Sequence, residues 1–578
     1  MQISLRSSKA TAQFSSQVHP VLQRILAARG VTQDLELELA LADLLPPSQL
    51  RNIDAAVLLL QQALQQQQRL LILADFDADG ATSCALAVAC LRSFGFLQVD
   101  YLVPNRFEYG YGLTPEIVDV ARERTPDLII TVDNGIASHA GIARANALGM
   151  RVLVTDHHLP ADTLPDAACI VNPNQPDCPF PSKALAGVGV IFYLMTALRS
   201  ALREAQWFVQ QQIPEPRLAA FLDLVALGTV ADVVPLDTNN RRLVKHGLQV
   251  IRSGRARPGI RALLEVAGRN TASIVANDLG FAVGPRLNAA GRLTDMTLGI
   301  ECLLCDDEQQ ALRIARQLDS LNKERRLIEQ DMQADALLLL DRMSLQEQER
   351  LGVCLHDPDW HQGVIGILAS RIKDRLHRPV IVFADAGLDA DGTPLIKGSA
   401  RSIAGVHIRD ILDAVATHNP LLLSKFGGHA MAAGLTLRRQ DLAAFTAAFE
   451  LELQRQTDPE LFLRHMLHDG ELPPDCLSLE FAQLLRSATP WGQHFPEPLF
   501  TGVFDVISSR VLADKHLKLV LQVPAGTLLV DGIAFNLEAA LLAAPLQRVR
   551  VLYKLDINEF RGQVNPQLII ERLEHVAS

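Results

Sequence analysis

The stretch LILADFDADGATS, Leu71 to Ser83, sets Asp75, Asp77 and Asp79 at alternate positions behind an apolar run and before Gly80. Like charges this close repel one another, so the spacing needs a reason. A solvated turn is the plain one, since Asp and Gly are ordinary turn residues. Recurrence argues against it: LIITVD ends in Asp133, and RVLVTD ends in Asp156, followed by His157 and His158. Ligands of open parallel sheets gather at the carboxyl ends of strands, so three strands would aim acidic or imidazole groups into one crevice. Carboxylates share such a cleft when cations neutralise them. Oxygen ligands with one or two imidazoles suit Mg2+ or, better, Mn2+, whereas zinc takes a tighter Cys/His set. A metal-ligating histidine also needs an acceptor for its other nitrogen, a role open to Asp156. Strand alternation leaves open which of the two imidazoles faces the metals.

Two competing motifs fail on position. A calcium loop starting at Asp75 needs a bidentate Glu at its twelfth position, which is Leu86, and it follows a helix, whereas this stretch follows a strand. No G-x-x-x-x-G-K-[ST] loop precedes the carboxylates, which argues against an ordinary ATP-driven helicase.

The elements that would hold these groups follow from period and length. At 578 residues, 48% apolar and 21% charged, the chain is long enough for three or four folded domains. Residues 1–50 read as a cap of small helices around HPVLQRILAARG and LELELALADLLPP. Residues 51–265 alternate short β-prone runs (RLLILAD, VDYLV, DLIITVD, RVLVTD, AACIVN) with helical stretches, the pattern of a helix-covered parallel sheet. Within 266–348, the run from Asp306 to Asp341 is an amphipathic helix suited to connecting two lobes. Residues 349–460 form a second α/β domain, and 461–578 hold several short strands that fit a five-stranded OB-like β-barrel. The fold class is therefore α/β with a terminal barrel. The N-terminus lacks a signal-type apolar core and no charge-free apolar run reaches 18 residues, so a cytoplasmic protein with no membrane segment is expected. The 8 cysteines are scattered; Cys302 and Cys305 lack the partners of a zinc site and read as core thiols.

Net charge is −11, which argues against indiscriminate coating of nucleic acid but leaves local sites open. Arg241, Arg242, Lys245, Arg252, Arg255, Arg257 and Arg261 fall in one run with no acidic residue, read by default as a solvated face. In the second α/β domain, KGSARS offers Lys397, Ser399 and Arg401, and FGGHAMAAG offers Gly427, Gly428 and His429. Glycines let a backbone approach a phosphate closely, and the cations add charge. DWHQGVIGILASRI places His361 and Arg371 nearby, although its small residues serve helix packing equally well. GPRLNAAGR contributes Arg286, Asn288 and Arg292, as an interlobe turn or as phosphate contacts. In the barrel, Phe504, Lys515, His516, Lys518 and Tyr553 are weak strand-binding candidates, since aromatic residues of small barrels are mostly core.

Taken together, ADFDADG, TVDNG, TDHH and ALGTVADVVPL resemble the four phosphoesterase motifs of the DHH superfamily. GPRLNAAGR, GSARS and FGGHAMAAG narrow the resemblance to the bacterial RecJ family of single-stranded-DNA-specific exonucleases, over nearly the whole chain. Ala74, Phe76 and Met431 depart from the common Gly, Tyr and Ala, and only Phe76 removes a polar group. The resemblance implies two divalent cations, Mn2+ or Mg2+, held by Asp77, Asp79, Asp133, His157 and Asp232, with Asp133 as the bridge. It implies that Asp75 orients a ligand or accepts a water proton, that His158 faces the scissile phosphate and that Asp156 supports the histidine pair. It places terminal-phosphate recognition in the second lobe, the DHHA1 domain, with Arg401 and His429 foremost, and tips GPRLNAAGR toward phosphate contacts. The implied activity is 5′-to-3′ hydrolysis of single-stranded DNA to mononucleotides in recombination, post-replication repair and mismatch correction. A single-stranded-DNA-binding protein and a DNA helicase are the implied partners, and a complete cleft in one chain requires no dimer, so a monomer is expected. The rivals are a DHH phosphodiesterase of short RNA or cyclic dinucleotides, which needs no terminal barrel, and a non-catalytic replication factor, which would have lost metal ligands.

Overall fold

The computed structural model describes the whole chain except residues 1, 9–10, 106–107, 345–348, 390, 424, 525, 538–540, 543–545, 561 and 577–578. Its first sheet has five parallel strands in the spatial order Val99–Leu102, Leu70–Ala74, Leu128–Val132, Arg151–Thr155, Cys169–Val171. Strands Leu70–Ala74 and Leu128–Val132 are buried at every residue, as a sheet covered on both faces requires. Alternation splits the side chains cleanly. Leu70, Ile72 and Ala74 join the core under helices Ala78–Ser93 and Gly187–Glu204, while Leu71 and Leu73 face helices Pro115–Arg122 and His139–Ala147. The chain winds first to one side of Leu70–Ala74 and then to the other. The reversal falls between Leu70–Ala74 and Leu128–Val132, the place where an open sheet leaves a crevice at its carboxyl edge.

Helix Glu308–Asp341 leaves this body as a single 34-residue rod capped by Asp307, whose carboxylate accepts from Gln310 N at 2.6 Å. At 1.5 Å per residue it spans about 50 Å. Ala311, Ile314, Ala315 and Leu318 pack into the first core, and Met332 and Ala336 into the second lobe. The turns between them bury a polar waist of Asp319, Asn322, Arg325 and Glu329. The second lobe is a mixed five-stranded sheet in the order Lys425–Gly428, Ala432–Arg438, Pro394–Arg401, Val380–Leu388, Val353–His356. Helix Ile365–Leu376 covers one face, and helices Ile408–His418 and Leu442–Gln456 the other. The closed terminal barrel is ordered Phe500–Leu512, His516–Gln522, Leu529–Ala534, Gln563–His575, Arg548–Phe560, with the third and fifth strands in sequence paired in parallel. That order is OB topology.

Three expectations change. The N-terminal segment is not only helical: Gln2–Leu5 pairs in parallel with His465–His468, and Arg29 makes a buried two-pronged bond to Asp469 at 2.7 and 2.9 Å. LELELALADLLPP yields only helix Leu35–Glu38 and a 3-10 turn at Leu41–Asp43, because Leu39 turns left-handed at φ 47° and the prolines that follow supply no N–H. The basic run is no solvated face either. Arg241 is buried with its guanidinium 4.2 Å above the Phe495 ring, Arg257 pairs with buried Asp223 at 3.1 Å, and Lys245 Nζ donates to Glu38 O at 2.6 Å. Phe504 and Tyr553 are barrel core, and Lys518 pairs with Asp531. Among the described residues no helix is long and apolar enough to cross a membrane.

Candidate active site

Each motif leaves its strand through a turn that its own carboxylate builds. Asp75 N extends the ladder by one bond to Val132 O. Asp77 then caps helix Ala78–Ser93, accepting from Asp79 N at 2.9 Å and Gly80 N at 3.0 Å. Gly80 is required because a Cβ there would collide with the Asp75 carbonyl. Asp79 is 1% exposed and accepts from Gly187 N at 2.7 Å and Val188 N at 2.9 Å, the first turn of the next helix, where backbone partial charge favours an anion. Asp133 sits in the left-handed region at φ 63°. Asn134 Nδ2 beside it donates to Leu73 O and Val132 O, tying the two strand ends together. Asp232 caps the C-terminus of helix Leu222–Ala231 and reaches the same place from the opposite wall.

The third motif answers the question strand alternation leaves open. Asp156 Oδ1 accepts from His157 N at 2.7 Å, from His158 N at 3.1 Å and from His158 Nδ1 at 2.7 Å, while Oδ2 accepts from Ile136 N at 2.9 Å. The chain therefore turns at His157 and the alternation ends. His157 Nε2 lies 3.1 Å from Asp133 Oδ1 and 3.4 Å from Asp232 Oδ2. His158 turns away toward Tyr111, whose Oη lies 3.2 Å from its Nε2 and donates to Asp133 O at 3.3 Å.

Divalent cations fit this donor set. Asp133 Oδ1 and His157 Nε2 are buried and make no hydrogen bond, although they stand 3.1 Å apart; buried polar atoms without partners are costly unless something else binds them. Three sets of ligand atoms lie within 4.8 Å of one another: Asp133 with His157 and His158, Asp79 with His157 and Asp232, and Asp75 with Asp77 and Asp133. Asp133 and His157 each belong to two of these, and of the two only the carboxylate can bridge closely spaced ions.

Electrostatics agree. Burial, then Asp79 and Asp77, hold the Asp133 carboxyl well above the usual carboxylate range. Burial and Asp232 push Asp79 up to about 7, and burial and Asp77 push Asp232 up to about 8. Such a cluster lacks countercharge. Burial alone would raise Asp156, but the charge and hydrogen bond of His158 bring it down to about 2. Burial opposes charge on His158, yet Asp156 lifts it to about 9, favouring the imidazolium. His157 is lowered by burial and by His158, which leaves its ring nitrogen free to ligate.

The second lobe closes over this crevice. The His429 ring centroid lies 5.4 Å from that of His158, and burial with His158 lowers its pKa to about 4. Lys397, Ser399 and Arg401 alternate along strand Pro394–Arg401. Ser399 Oγ and Arg401 Nη2 lie about 3 Å from where a Cβ on Gly366 would stand, so they cover the first turn of helix Ile365–Leu376. Gly427 has open space over its Cα, and Gly428 turns at φ 145°. His361 Nδ1 accepts from Gly363 N, and Arg371 donates to Glu329 on the connector helix.

GPRLNAAGR is helical, Gly284–Leu293, and its polar residues bind the protein itself. Arg286 is 8% exposed and donates to Asp319 at 2.9 Å and Ala282 O, and Asn288 accepts from Ala78 N at 2.7 Å inside the first motif. These bonds tie Arg286 to the connector helix and Asn288 to the first motif. Arg292 donates to Gly363 O at 3.0 Å, joining the lobes. Sequence reasoning missed Tyr111, Gly187 and Gly228. Tyr111 carried a signal, an aromatic between Gly110 and Gly112, which both take positive φ. The two glycines had none before folding: a Cβ on Gly187 would lie 2.7 Å from the Asp133 carboxylate, and one on Gly228 2.7 Å from Asp79 Oδ1.

This crevice, its covering lobe and the barrel define the DHH class. Residues 69–229 match the DHH family, N-terminal domain, 349–455 the DHHA1 domain and 468–572 the RecJ OB domain. The chain belongs to the RecJ family. It is 52% identical over 573 residues to the single-stranded-DNA-specific exonuclease RecJ of Salmonella typhimurium, covering 99% of this chain and 98% of that one. It is 52% identical over 576 residues to the RecJ of Escherichia coli, covering 99% of each. The crystal structure of RecJ in complex with Mn2+ from Thermus thermophilus superposes with a TM-score of 0.78 at 30% identity, over 97% of this chain and 77% of that one. The Mg2+ complex from the same organism gives 0.73 at 29%, over 97% and 76%.

Proposed function

We propose that the protein is a metal-dependent exonuclease that hydrolyses the phosphodiester bonds of single-stranded DNA from the 5′ end and releases mononucleotides. The observation that carries this reading is the pair of unpartnered buried atoms, Asp133 Oδ1 and His157 Nε2, at the sheet's switch point beneath the second lobe. Asp77, Asp79, Asp133, His157 and Asp232 would hold two divalent cations, Mn2+ or Mg2+. Bound there, such ions lower the pKa of a water and neutralise charge on the phosphoryl group. The chain supplies the rest. Asp156 fixes the His158 imidazolium toward the cleft, where it faces the scissile phosphate. Asp75 orients the first motif, its carboxylate accepting from Phe76 N. Lys397, Ser399, Arg401, Gly427, Gly428 and His429 receive the terminal phosphate and thereby set polarity, with His361, Arg371 and Arg292 at the seam beside them.

These roles distribute over residues 51–265 for hydrolysis, 349–460 for the strand's end and 461–578 for the strand beyond it. The barrel favours a polymer substrate over cyclic dinucleotides or short RNA, which need no second surface. As a RecJ-family nuclease the protein acts in recombination and repair in the cytoplasm, as a monomer, on strands delivered by a helicase and coated by a single-stranded-DNA-binding protein. The test is digestion of single strands labelled at either end, beside a duplex and an RNA strand, with Mn2+ and with chelator. Release of labelled mononucleotide from the 5′ end of single-stranded DNA, abolished by chelation, is the expected result. Preferential 3′ attack, or activity that survives chelation, overturns the reading.

A further inference from the structure

We infer that the groove between the catalytic core and the helix leading into the barrel is a second anion site, built for a phosphate group. Its walls are the end of helix Thr238–Arg252, the turn around Asn277, and helix Leu479–Ala488 with the residues after it, enclosing about 130 Å³. That is the room of about four waters at ~30 Å³ each, enough for a phosphate group and part of its hydration. Arg252 lines the groove and spends one donor, Nε, on Ile274 O at 2.8 Å. Arg486 faces it and, among the described residues, makes no hydrogen bond or ion pair. Thr489 is 5% exposed, and its Oγ1 is buried without a partner. Lys245 adds a third positive charge on the wall.

The groove holds one carboxylate, Glu497, which is already engaged: it accepts from Asn277 Nδ2 at 2.8 Å and pairs with Lys554 at 3.0 Å. Arg252 and Arg486 line the same groove and their like charges repel: the Arg252 pKa is lowered by burial and then by Arg486, against a smaller upward pull from Asp278. A tetrahedral oxyanion relieves that repulsion, takes charge-assisted bonds from both guanidiniums and accepts from the Thr489 hydroxyl. Helix Thr238–Arg252 starts six residues beyond Asp232, and helix Leu479–Ala488 leads to the barrel, so an anion held here fastens the barrel to the catalytic core. The phosphate group is a diester of the strand passing between barrel and core, or a free phosphate ion; both present the same oxygens. The site stands apart from the metal crevice and does not depend on the exonuclease reading.

The experiment uses the full chain in chelator, so that metal and hydrolysis play no part. It is run in an Arg401→Gln background to remove the terminal-phosphate cradle. Inorganic phosphate is titrated against thermal unfolding, with sodium chloride matched for ionic strength. The parent shows a saturable rise in Tm; Arg486→Gln and Thr489→Val lose it while keeping the parent's Tm without phosphate. If Arg486→Gln does not fold, Thr489→Val, which removes one hydroxyl at constant shape, carries the test. A second arm measures single-strand affinity against salt. A slope of log K on log salt smaller by about 1 in Arg486→Gln identifies a strand phosphate. An unchanged slope with a lost phosphate response identifies the free ion. Full retention of the phosphate response in both variants, with an unchanged slope, overturns the proposal.

Discussion

Replacing Asp133 by Asn should stabilise the chelated protein while abolishing its activity. Asn has the shape of Asp and tolerates the left-handed backbone that Asp133 adopts at φ 63°, and Asp133 Oδ1 makes no hydrogen bond that the amide would lose. What changes is charge. At 4.8 Å, the span of the ligand-atom sets, two carboxylates repel by about 3 kcal/mol at an effective dielectric of about 20. Burial, Asp79 and Asp77 hold the Asp133 carboxyl well above the usual range, so proton uptake there limits that cost in the chelated protein. Holding one such group protonated at pH 7 costs at most about 4 kcal/mol, so relief on the order of 2–4 kcal/mol follows. A raised carboxyl pKa means that the folded chain binds protons more tightly than the unfolded one. The stability contributed by this cluster in the chelated wild type is therefore greatest below the ordinary carboxylate range and falls as pH rises through it, with Asp79 at about 7 and Asp232 at about 8 extending the fall into mild alkali. Asp133→Asn should flatten that fall, read by urea unfolding of the chelated protein at pH 5 and pH 8. Mn2+ should reverse the order: at 100 times its Kd it adds about 2.7 kcal/mol to the wild type and little to the variant, whose exonuclease rate should drop by about 10³ or more. A chelated variant less stable than wild type at pH 8, or equal stabilisation of both by Mn2+, would refute the reasoning.

Three further outcomes follow from the same geometry. Gly228→Ala puts a Cβ against Thr82 Oγ1 and 2.7 Å from Asp79 Oδ1; it should cost about 1–3 kcal/mol by overpacking and lower single-turnover hydrolysis far more than strand binding, measured by urea titration and quench-flow. Tyr111→Phe removes the hydroxyl shared by Asp133 O and His158; kcat should fall about tenfold, the equivalent of ~1.4 kcal/mol, with KM and Tm unchanged. Arg401→Gln should raise KM for 5′-phosphorylated strands by about tenfold or more and leave 5′-hydroxyl strands nearly unaffected, read from initial rates on the matched pair.

Much of the crevice was legible because its chemistry is local. Asp75, Asp77 and Asp79, then Asp133, then Asp156 with the two histidines, each follow an apolar run, and a parallel sheet collects such residues along one edge. The 34-residue connector helix and the two flanking lobes announce themselves through period and length for the same reason. Strand alternation could not assign the two histidines, which only the family resemblance did, because alternation assumes an extended chain and Asp156 ends the extension by accepting both following backbone N–H groups. Arg286 and Asn288 make framework bonds that chain order hides. On the chain they look like free polar groups, and only packing brings Asp319 and the Ala78 N–H to them.

The sequence by itself determined that the five strands of the first sheet form and which charges stand at their ends, since propensity, alternation and turn chemistry act between neighbours. Only the tertiary structure decided that Asp133 Oδ1 and His157 Nε2 meet with no hydrogen bond to either, that Gly187 and Gly228 must lack side chains to make room for carboxylates, and that Arg241 and Arg257 of the basic run turn toward Phe495 and Asp223. Those facts depend on distances between segments far apart in the chain, which are fixed when the core closes.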